Sequence, residues 1–102
     1  MSKQVVTVNP ATDEVIESFD AMDWDEVSSL MTAAVDAQAQ WRHSELSERA
    51  DKLRKLGQIL RDDVEQHATL ISREMGKPIS EARGEVLKCA LACDYYADNL
   101  VE

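Results

Sequence analysis

From Val27 to Leu100 the apolar residues return every three or four positions, and this period restricts the fold more than any other feature. Such spacing places side chains on one face of an α-helix. Val27, Leu30, Ala34, Ala37 and Trp41 form a first stripe. Leu46, Ala50, Leu53, Gly57, Leu60 and Val64 form a second, widened by Leu56 and Ile59. A shorter run continues through Ala68, Ile71 and Met75, and a last stripe joins Ile79, Ala82, Val86, Cys89, Cys93, Tyr96 and Leu100. The pattern predicts helices over about 24–42, 46–66, 67–76 and 78–101.

The residues between the stripes read as stops and starts. Asp23 followed by Glu26 has the spacing of a capping box, with an acid at the N-cap. Ser44 or Ser47 can open the second helix. Gly57 costs about 1 kcal/mol against Ala inside a helix, which points to a close approach by another backbone. Gly76 suits a left-handed helix end, and Pro78 suits the first turn of the next helix. Upstream, residues 5–8 and 15–19 flank "NPATDE", whose Asn9, Pro10 and Asp13 favour a turn, so a β-hairpin over about 5–20 is expected. One hairpin is barely stable alone and must lie against something else. The last helix runs into Leu100-Val101-Glu102 without a terminating residue, as in a domain cut from something longer. The expected fold is a single segment over 1–102, mostly α with a small N-terminal β-hairpin.

Charge narrows the partners. Eleven basic residues face 20 acids, a formal charge of -9. That excess repels phosphate backbones and anionic lipid, so nucleic acid and membrane surfaces are not expected partners. A surface of this kind suits a high-salt cytoplasm, and it also occurs in ordinary acidic proteins. No apolar run reaches bilayer length and no secretory pattern follows Met1. Cys89 and Cys93 lie four apart with their side chains leaning the same way, which disfavours a disulfide. They are expected to be small, buried apolar residues in a reducing, cytoplasmic setting.

No active site is visible in the residues alone. A phosphate-cradling loop needs a glycine five positions before Gly76-Lys77 and a Ser or Thr after it, where this chain has Ile71 and Pro78. Lys77 is therefore expected to be a solvated lysine. His43 and His67 stand beside helix ends and lack metal-ligand spacing. The carboxylates fall on polar helix faces, and Cys89 and Cys93 fall on the apolar stripe without the electropositive setting a nucleophile needs. Trp24, Trp41, Tyr95 and Tyr96 are expected to pack on helix faces, since no basic residues interleave with them to make a stacking platform. No residue is assigned to catalysis, cofactor binding or a metal.

Three stretches in one order carry a resemblance: "VNPATDEVIESF", "AQAQWRHSELSERADKLRKLGQIL" and "ISREMGKPISEARGEV". Together they resemble the amino-terminal region of the aldehyde dehydrogenase superfamily. "REMGKPISEARGEV" and "CDYYAD" are most similar to its succinate-semialdehyde branch. The resemblance implies the amino-terminal segment of an α/β fold whose hairpin and helices pack on a cofactor domain. It also implies a parent activity, oxidation of a small aldehyde to an acid with NAD or NADP through a cysteine thiolate, a glutamate base and oxyanion donors. All of these groups lie downstream of the matched region, so the chain is expected to bind no cofactor and to be incompetent alone. Its expected partner is the missing remainder of the enzyme or further copies of itself, joined through the Ile79–Leu100 stripe and strengthened by salt. The competing reading is an independent helical interaction module that kept the scaffold and lost the chemistry.

Overall fold

In a computed structural model, which describes residues 3–100, an antiparallel hairpin leads into four helices. Strand β1 (Gln4–Val8) pairs with β2 (Val15–Asp20), with Val5 opposite Phe19 and Val8 opposite Val15. The register shifts between Thr7 and Val8, a bulge that leaves Ile16 without a partner in the register. "NPATDE" folds as the sequence suggests. The Asn9 side chain accepts from Ala11 N–H at 2.9 Å, and its carbonyl accepts from Asp13 N–H at 2.8 Å. Asp13 takes φ 61°, a left-handed conformation that short polar side chains tolerate.

Helix α1 (Trp24–Trp41) begins with the capping box: Glu26 N–H donates to Asp23 Oδ1 and Asp23 N–H donates to Glu26 Oε2, each at 2.8 Å. Helix α2 (Leu46–Asp62) and helix α3 (Val64–Met75) are separated at Asp63. The sequence stripe ran through this point because Val64 and Ala68 continue it. Asp63 nevertheless leaves helical geometry at φ -107°, ψ 23°, and holds the N-cap position of α3 without a side-chain bond. Neither Ser44 nor Ser47 caps α2. Glu45 holds that position without a side-chain bond.

Helix α4 (Ile79–Asp98) follows Gly76 at φ 71° and Pro78 at the N-cap. It ends on Asn99, whose Nδ2 donates to the Tyr95 carbonyl at 2.8 Å. Asn99, not the terminal tripeptide, is thus the stop signal; Val101 and Glu102 lie outside the described residues.

The core is small and made of small residues. Ala50, Ala68, Ala82, Val86, Ala90 and Ala97 are its buried apolar side chains, with Leu60, Val64 and Ile71 partly buried against the Ala68, Ala82 and Val86 cluster. It lies where α4 crosses α2 and α3. Gly57 explains the alanines. A Cβ there would stand 3.3 Å from the Ala90 carbonyl and equally close to Asp94 Oδ1 and Cys93 Cβ, so the two helix backbones meet at Gly57. Ion pairs fix the same seam, from Arg61 to Asp94 and from Arg54 to Asp98 at 3.2 Å.

This seam corrects the last sequence stripe. Ala82 and Val86 are buried as expected, but the inward face continues through Ala90 and Ala97. Cys89 is exposed, Cys93 is half-buried and Tyr96 points away. A contact this close accepts methyl groups and turns tyrosine out.

Three substitutions check the packing by thermal melting. Gly76→Ala is expected to destabilise by about 1 kcal/mol or more through positive φ, and Gly57→Ala to come out about 1 kcal/mol below Gly84→Ala, because crowding at Ala90, Cys93 and Asp94 offsets the helix-propensity gain. Gly76→Ala also brings a methyl to 3.1 Å from Pro10 Cγ. Gly84→Ala adds a methyl to open space on a helix and should stabilise by about 0.5–1 kcal/mol. A destabilised Gly84→Ala, or a Gly57→Ala that stabilises as much as Gly84→Ala, would contradict this packing.

Candidate functional site

Among the described residues, Arg49 gathers four side-chain hydrogen bonds at the corner between α1 and α2. Helix α1 has no basic residue in its last turn to meet its free carbonyls. Arg49, from the first turn of α2, supplies that charge. Its Nη2 donates to the Trp41 carbonyl at 3.1 Å and to the Arg42 carbonyl at 2.8 Å, while Nε donates to Ser44 Oγ at 2.9 Å. Ser44 Oγ donates in turn to the Trp41 carbonyl at 2.6 Å. The guanidinium carbon lies 5.8 Å from the Trp41 ring centre, within cation–π range. A planar cation with five donors fits this set of acceptors, and lysine does not.

The corner holds α1 as an arm. None of its residues is buried, and Trp24 (75% exposed), Met31 (60%) and Val35 (68%) lie open to solvent. Beside the corner is an open groove of about 770 Å³ lined by Ala34, Ala37, Trp41, His43, Ser44 and Glu48. It offers apolar contact beside polar groups, Gln38 and Gln40 among them, and its Ser44 hydroxyl is already committed to the Trp41 carbonyl. The 46 × 40 × 18 Å extents and the Cα radius of gyration of 17.8 Å describe a broad, thin body. A compact chain of this length has a radius near about 13 Å.

The second joint brings two sequence motifs together. Pro10, in the hairpin turn, sits against Gly76, so the turn motif and the glycine between α3 and α4 meet. Lys77 is not simply solvated: its Nζ lies 2.6 Å from Glu85 Oε2, and that hydrogen bond raises its pKa. Across α3 and α4, Arg83 Nε bonds Glu65 Oε1 at 2.5 Å, which lowers the Glu65 pKa. These pairs were not read from the sequence, although Arg54 and Arg61 at i, i+7 facing Asp94 and Asp98 at i, i+4 hold matching charges at helical spacing.

The remaining candidates stay apart. His43 lies in the α1–α2 turn, and His67 lies in the first turn of α3 with Nε2 enclosed and unpartnered. Cys89 and Cys93 are both free thiols, and Cys89 is exposed where burial was expected. Trp24, Tyr95 and Tyr96 are exposed too, so the expected helix-face packing does not hold within the chain. Tyr95 and Tyr96 meet edge to face, with ring centres 5.4 Å apart. Among the described residues no group of three or more His, Cys, Asp or Glu is placed to hold a metal, and no helix is long and apolar enough to cross a membrane.

The corner makes a local prediction. Because α1 is not packed into the core, Arg49→Ala should speed amide exchange in α1 by about tenfold or more, the loss of a charge-assisted bond. Exchange in α2 and α4 should change little, and Arg49→Lys should not restore α1. Uniform acceleration across all helices would contradict a local role.

Comparison with known proteins agrees with this geometry. The chain is 39% identical over 94 residues to an NAD(P)+ succinate semialdehyde dehydrogenase of Escherichia coli (strain K12), covering 92% of this chain and 20% of that protein. It is 38% identical over 98 residues to a probable NADP+ succinate-semialdehyde dehydrogenase of Synechocystis, covering 96% and 22%. Among solved structures, it superposes on the succinic semialdehyde dehydrogenase of Streptococcus pyogenes in complex with NADP+ with a TM-score of 0.85. That pair shares 37% identity over 91% of this chain and 21% of the other. An NADP-dependent glyceraldehyde-3-phosphate dehydrogenase from Bacillus halodurans gives 0.90 at 30% identity, covering 94% and 20%. The chain thus spans about a fifth of the length of these relatives, at their amino-terminal end. With a family model matched over residues 1–102, the chain belongs to the aldehyde dehydrogenase family.

Proposed function

We propose that this chain is the amino-terminal scaffold of an NAD(P)-dependent aldehyde dehydrogenase that oxidises a small aldehyde to its carboxylic acid, with succinate semialdehyde the favoured substrate. The observation that carries the substrate is the 39% and 38% identity to two succinate-semialdehyde dehydrogenases over nearly the whole of this chain. Two unpaired thiols, Cys89 and Cys93, favour a cytoplasmic setting for it.

The link from β2 to α1 is a poor place for the phosphates of a dinucleotide. Such a ligand needs a helix N-terminus whose free N–H groups face its phosphates. The strand-to-helix link from β2 to α1 instead closes its N-terminus with the Asp23 and Glu26 carboxylates, which repel phosphate. Cofactor binding and chemistry are therefore assigned to parts of the enzyme beyond the fifth matched here. This chain contributes shape: a seam welded at Gly57, a hairpin seated at Gly76, and an arm held out by Arg49. The reading as an independent interaction module gains no observation of its own, since the open shape is the one that the counterpart takes within whole enzymes.

A chimera tests the proposal. Residues 1–100 replace the matching amino-terminal fifth of the Escherichia coli relative, and reduced cofactor is followed with succinate semialdehyde. The chimera should turn over within about tenfold of the parent, whereas the 102-residue chain alone should form no reduced cofactor. A folded, inactive chimera would contradict the scaffold role. Turnover by the chain alone, lost in Cys89→Ser or Cys93→Ser, would place the chemistry here instead.

A further inference from the structure

We draw no further inference here: the strongest candidate, the unpartnered arm of α1 with Leu30, Met31 and Val35 open to solvent, is an apolar surface for which nothing in the structure shows what covers it, in a chain that spans about a fifth of the length of its relatives.

Discussion

The Arg49 guanidinium decides the outline of this chain. Without it, the Arg42 carbonyl would lose its Arg49 donor and the turn to α2 would be held only by the Ser44 and His43 bonds to the Trp41 and Gln40 carbonyls. With it, the Trp41 and Arg42 carbonyls and the Ser44 hydroxyl are gathered on one cation, and the Trp41 ring lies beneath the same group. An eight-residue separation between a tryptophan and an arginine thereby becomes a rigid corner. The consequence is an open body: α1 stands clear, and apolar side chains such as Met31 and Val35 face outward.

The other two joints work by close approach. Gly57 lets α2 and α4 come near enough for Ala90 and Ala97 to fill the seam, and Arg61 with Asp94 closes its edge. Gly76 turns the chain through positive φ and receives Pro10 from the hairpin. The hairpin therefore reaches the helices through its turn, where two motifs distant in sequence meet. The result is a thin scaffold with one small core. It suits a fifth of an enzyme better than a complete domain of this length, whose core would bury large side chains.

Local rules were legible in the sequence where they are set by one or two residues. The Asp23–Glu26 box, the Asn9 turn, the positive φ of Gly76 and the backbone contact at Gly57 all follow from side-chain chemistry at known offsets. The break at Asp63 was hidden because the apolar stripe runs on across it. The inward face of α4 was misplaced after Val86 because steps of three and four both satisfy a helical period. Only the closeness of α2 selects Ala90 and Ala97 over Cys89 and Tyr96. The reactive residues gave no site because they are spread over separate elements, with His43 at the corner, His67 on α3 and the thiols on α4. The family was legible only as an ordered set of motifs spread over the hairpin and the helices, and from no single residue.

Small-angle scattering on the dilute chain, extrapolated to zero concentration, tests the central claim that Arg49 holds the body open. The account predicts a radius of gyration near the 17.8 Å of the open form, and a clear change when Arg49→Ala frees the corner. A radius near about 13 Å, the value for a compact chain of this length, would mean that α1 folds back and that the corner does not hold.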